Sequence, residues 1–80
     1  MTTIEARRIL QAFYDLDKIG AGEFEDKYYP ALLDESATYW RARDCHTLAA
    51  RPEDHISIYL AERAREALAW MLLVETPNNT

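Results

Sequence analysis

Apolar positions along the chain recur every three or four residues, the rhythm of amphipathic helices, far more than in the two-residue alternation of strands. Ala6, Ile9, Leu10, Phe13 and Leu16 make a first stripe, with Arg7, Arg8, Gln11 and Asp15 largely on other faces. Thr2 followed by Glu5 fits a capping box, in which hydroxyl and carboxylate each serve an amide that the first turn leaves unpaired. The spacing predicts a helix over about 3–18, stopped by Gly20 and Gly22, the only glycines in the chain. A short helix is expected over 23–29, its early acids complementing the helix dipole. Pro30 lacks an amide and clashes with the preceding turn, so it ends or kinks that helix. It also suits the first turn of a third helix, over 31–43. Leu32, Leu33, Ser36, Ala37 and Trp40 keep the spacing there. Thr38, Tyr39 and Trp40 favour sheet as well, which gives 37–43 a strand alternative. Helix is preferred because no strong second strand exists to pair with it.

Residues 44–51 read as a connection. Pro52, Glu53 and Asp54 then open the strongest helix, over 52–75 and expected to be the longest, with a proline pre-set for the first turn and two acids beside it. Ile56, Leu60, Ala64, Ala67, Met71 and Val74 share one face, widened by Tyr59, Leu68 and Leu72. Ala61, Ala64 and Ala67 are small enough to let another helix approach closely. Arg63 with Glu66, and Glu62 with Arg65, stand at ion-pair spacing. Thr76 and Pro77 should end the helix, and residues 78–80 should fray. The expected fold is all-α: one domain over 1–80, a small bundle of three to four helices with a long C-terminal helix.

Composition narrows the class further. At 49% hydrophobic the chain must fold around a core. A domain of this size buries only about 60% of its unfolded surface, so the margin of stability is small. One cysteine excludes an internal disulfide and supplies no zinc framework. No apolar run approaches membrane-spanning length and residues 1–9 lack a signal-peptide core, so a soluble, cytoplasmic protein is expected, with no membrane partner. Fourteen acids against nine bases give a net charge of −5. All of that excess lies between Asp15 and Glu35, where seven acids meet two bases; elsewhere the charges cancel. Direct nucleic-acid binding is not expected, because no basic patch exists to meet phosphates.

Several residue groups invite a chemical reading. Ala12 and Phe13 before Asp17, followed by Gly22 and Phe24, resemble a helix running into the calcium loop of the EF-hand family. The resemblance covers about 17 residues and implies a helix-loop-helix shape. Calcium needs six to eight oxygens, and the ligand positions that resemblance assigns hold Ile19, Ala21 and Tyr28, so no calcium site is expected. The runs 10–14, 22–24 and 33–39 look like the opening of NTF2-like domains, which then require a curved sheet. The remaining residues read mostly as one helix, so the likeness implies helix packing alone. Cys45, His46 and His55, with Asp44 and Asp54 nearby, lack metal-ligand spacing, and no metal or other cofactor is expected. No P-loop, nucleotide-binding glycine fingerprint or nucleophile elbow occurs, and no carboxylate pair has visibly different environments, so the protein is not expected to be an enzyme.

What remains is a surface. Tyr28, Tyr29 and Tyr39 flank the acidic stretch, and tyrosine beside acid suits an arginine-bearing partner through cation–π contact and charge pairing. The expected function is a non-enzymatic protein-binding module. It would engage a basic protein surface through Asp15, Asp17, Glu23, Glu25, Asp26, Tyr28, Tyr29, Asp34, Glu35 and Tyr39. Basic surfaces belong most often to nucleic-acid-handling complexes, which an acidic module could block. In size, acidity and lack of catalytic motifs the chain is similar to small phage-encoded inhibitors, including anti-CRISPR proteins and DNA mimics. The alternative expectation is a structural module that homodimerises or assembles through its last helix.

Overall fold

A computed structural model of the protein describes residues 1–75. It is all-α, with helices α1 (Thr3–Asp15), α2 (Ala21–Ala42), α3 (His46–Ala50) and α4 (Ile56–Glu75), and a single 3-10 turn at Pro52–Asp54 before α4. The expected end of the last helix at Thr76 and Pro77 lies outside the described residues.

The capping box forms in full. Thr2 Oγ1 accepts from the Glu5 N–H at 3.1 Å, and Glu5 Oε1 accepts from the Thr2 N–H at 2.9 Å. α1 ends at Asp15 rather than near residue 18, because the Lys18 and Ile19 amides both fold back onto the Asp15 carbonyl. Its inward stripe is also rotated from the expected one. Ala6, Ile9, Ala12 and Asp15 are buried while Phe13 is 41% exposed. The small Ala6 and Ala12 permit close approach to α4, where Ala64 and Ala67 are equally small and equally buried.

The two helices expected over 23–29 and 31–43 are one continuous helix, α2, which passes through Pro30. The strand alternative for 37–43 falls with it. Pro30 is exposed, so the Asp26 carbonyl deprived of its partner faces water rather than the core. Phe24, Leu32, Ser36, Tyr39 and Trp40 are buried on the opposite side, before and after the proline, and that shared packing keeps both halves in register. Among the described residues α2 spans 22 and α4 spans 20, and α4 begins at Ile56, not at Pro52. The connection expected over 44–51 contains the five-residue α3.

The chain folds in two packed groups. Ala6, Ile9 and Ala67, with Leu10, Trp70 and Met71, join the start of α1 to the end of α4. Ala12, Phe24, Leu32, Tyr39, Trp40, Ile56, Tyr59 and Leu60 join the end of α1, α2 and the start of α4. α1 and α4 are therefore antiparallel and share the most extensive contact, while α3 and the 3-10 turn pack on α2. No helix among the described residues is long and apolar enough to cross a membrane.

Candidate functional site

Three helices meet at a polar bridge. On α1, Arg8 pairs with Glu35 of α2 at 2.8 Å, and the Tyr59 hydroxyl of α4 donates to the same carboxylate at 3.4 Å. Further along, the Tyr39 hydroxyl of α2 donates to Glu66 of α4 at 2.6 Å. Arg63 and Arg43 reach the same carboxylate. The Arg43 guanidinium lies 3.7 Å from the centre of the Tyr39 ring. Burial, reinforced by the hydrogen bond to Glu66, pushes the Tyr39 hydroxyl up to about 12. Burial alone would raise Glu66, but Tyr39 and Arg63 outweigh it and hold its carboxyl below the usual range. Arg8, Glu35, Tyr39, Arg43, Tyr59 and Arg63 line a groove of about 500 Å3. Its arginines already hold carboxylates of the chain, so the groove serves as a structural clamp.

A second clamp closes the other end of α1. Asp15, buried, accepts from the Tyr28 hydroxyl and, at 3.1 Å, from the Gln11 amide, with Lys27 at 3.5 Å. The bond from Tyr28 is the main reason its carboxyl sits below the ordinary value. Of the ten residues assigned to a partner face from sequence, four are thus engaged within the fold: Asp15, Tyr28, Glu35 and Tyr39. Tyr39 in particular already carries the chain's own arginine on its ring.

The other six remain available. Asp17, Glu23, Glu25, Asp26 and Asp34 are exposed, and Tyr29 is half-buried. Glu23, Asp26 and Asp34 stand three and eight residues apart, which places them on one outer face of α2 with the exposed Pro30 between them. Glu25 lies around the helix from these, toward Tyr29. Burial, and then the charges of Glu25, Asp54 and Glu53, hold the Tyr29 hydroxyl above its ordinary value. Leu16, Ala21, Phe24, Glu25 and Tyr29 enclose a hollow of about 160 Å3. Glu53 and Asp54 therefore belong to the acidic corner, although the sequence marks them only as a helix start. No local signal could have placed them beside Tyr29, because the contact depends on the 3-10 turn packing back on α2.

The calcium-loop spacing does not correspond to a loop. Only residues 16–20 connect α1 to α2, and Gly22 and Phe24 lie within α2. Cys45 is half-buried against the core and His46 stands 4.0 Å from Asp44. Among the described residues no three His, Cys, Asp or Glu side chains come together in a way that could hold a metal ion. The fold and surface define a small helical module with one acidic corner. No protein-family model, curated protein or solved structure matches the chain.

Proposed function

We propose that the protein is a non-enzymatic binding module that presents its acidic corner to a basic surface on another protein. The observation that carries this reading is the hollow between α1 and α2. Its floor is apolar, from Leu16 and Phe24, and its edge is Glu25 and the tyrosine ring of Tyr29. Glu53 and Asp54 act on the same tyrosine from within the 3-10 turn. An arginine or lysine side chain fits such a hollow by laying its stem on the floor and its charge among the carboxylates. Asp17, Glu23 and Asp26 supply the surrounding field that steers such a partner. Proteins that handle nucleic acids carry basic surfaces of this kind, and occupying one would exclude phosphates from it.

Affinity capture from the native host, at low and high salt, tests the proposal. Capture should weaken steeply as salt rises and be lost in E23K/E25K/D26K. On the recovered partner, that triple reversal should chiefly slow association, whereas Tyr29→Ala should chiefly speed dissociation. Capture that is indifferent to salt and to the triple reversal rejects the acidic corner as the binding surface.

A further inference from the structure

A second surface, independent of the acidic corner, runs along α4. The inward side chains Ile56, Tyr59, Leu60, Ala64 and Ala67 are buried against the rest of the fold. Two of the three alanines expected to admit a second helix, Ala64 and Ala67, are thus already buried within the chain's own fold. The outward side carries Ile58, Ala61, Arg65 and Leu68, spaced three, four and three residues apart, the spacing of a coiled-coil seam. Ile58 is 49% exposed and Leu68 54%, and Leu72, the next position of the seam, is 67% exposed. One charged pair belongs to the same strip. Glu62 and Arg65 stand at ion-pair spacing and both are exposed, yet among the described residues neither makes an ion pair or side-chain hydrogen bond. Their neighbours Arg63 and Glu66, at the same spacing, do pair, at 2.5 Å.

We propose that this strip is a homodimer interface, in which α4 packs antiparallel on α4 of a second copy about a two-fold axis near residue 63. In that register Ile58 lies against Leu68 of the other copy. Arg65 lies opposite Ala61, whose small side chain leaves room for the long stem, and beside the unpaired Glu62. The two-fold repeats each contact, as an isologous interface requires. Parallel pairing would instead set Arg65 against Arg65, a like-charge contact in the centre of the seam. One charge of each sign on an apolar strip is self-complementary, and it offers no advantage to a strongly acidic or basic partner. The excess acids lie between Asp15 and Glu35, outside α4, so the seam itself is charge-balanced. The fold is also thin, 46 × 31 × 16 Å, and among the described residues no further element packs on the outer side of α4.

Sedimentation equilibrium over a dilution series tests the interface. The wild-type chain should show twice the chain mass at high concentration and dissociate on dilution. R65E opposes like charges across the seam and should weaken the dimer at least about tenfold. The double reversal E62R/R65E should restore it, with helix content by circular dichroism unchanged in all three proteins. A wild-type chain that stays monomeric up to its solubility limit overturns the proposal. So does a dimer that ignores R65E, or one that R65E breaks and the double reversal fails to restore.

Discussion

Asp44 holds a φ of 58°, in the left-handed region where a Cβ is normally unwelcome. It does so because α2 ends there. The Asp44 N–H reaches the Arg41 carbonyl at 3.1 Å and the Cys45 N–H reaches the Trp40 carbonyl at 2.8 Å, the paired bonds of a Schellman ending. Glycine meets the same geometry without the steric cost, so Asp44→Gly should raise stability by about 0.5–1 kcal/mol in urea unfolding. A loss would mean that the Asp44 carboxylate contributes more to its neighbours than its conformation costs. Tyr39 poses the opposite case. Tyr39→Phe keeps the ring in the core but removes the hydroxyl donated to Glu66. The expected cost is about 1–2 kcal/mol, since the acceptor is charged but partly solvated. The Glu66 carboxyl should then titrate higher, as followed by NMR. Contacts of this range mark the limit of what the sequence discloses. The capping box is legible because Thr2 and Glu5 lie three residues apart. The inward turn of Tyr39 is not, because Glu66 lies 27 residues further along the chain.

At the scale of elements, α2 shows packing overriding a local breaker. Proline in a helix interior costs roughly 3 kcal/mol relative to alanine, which is why residues 23–43 read as two helices. Phe24 on one side of Pro30 and Leu32, Tyr39 and Trp40 on the other bury in the same cluster, and a break would misalign one set. Pro30→Ala should therefore stabilise the protein by roughly 1–2 kcal/mol, the helix gain less the freedom restored to the unfolded chain. Thermal unfolding with unchanged far-ultraviolet dichroism would bear this out. A destabilised variant would mean that the packing of α2 relies on a bend at Pro30. The remaining elements divide along the same line. α1 and α4 are legible because several turns repeat one apolar face. α3 has only five residues and no buried side chain, too short for any period to register. The acidic corner was half legible: its charges are written in order along 17–26, but Glu53 and Asp54 arrive through folding. Nothing in that order distinguishes the free Asp17 from the buried Asp15.

For the molecule as a whole, the two clamps make cohesion depend on protonation. α1 and α2 approach closely at few backbone positions, and beyond the apolar cluster around Ala12 they are tied through Arg8–Glu35 and through Asp15 with Tyr28 and Lys27. Asp15 and Glu66 titrate lower in the fold than their ordinary values of 3.8 and 4.5. The stability they contribute is thus complete above those values and is lost as pH falls through the lower, folded ones. Tyr39, Tyr28 and Tyr59 titrate above 10, Tyr39 at about 12. Their contribution is complete below pH 10 and is lost as pH rises through the folded values. Stability should therefore form a plateau between about pH 5 and pH 9, falling on both sides. Acid should loosen α2 before it separates α1 from α4, whose shared core of Ala6, Ile9 and Ala67 contains no titrating group. The two tryptophans report these regions separately, Trp40 from α2 and Trp70 from the α1–α4 end. In Trp70→Phe, emission from Trp40 should change at a higher pH during acidification than emission from Trp70 does in Trp40→Phe. Asp15→Asn should narrow the interval by removing one of the two lowered carboxyls. Coincident transitions in both single-tryptophan proteins would show that the fold yields as one unit, and that the clamps do not set the order in which its helices part.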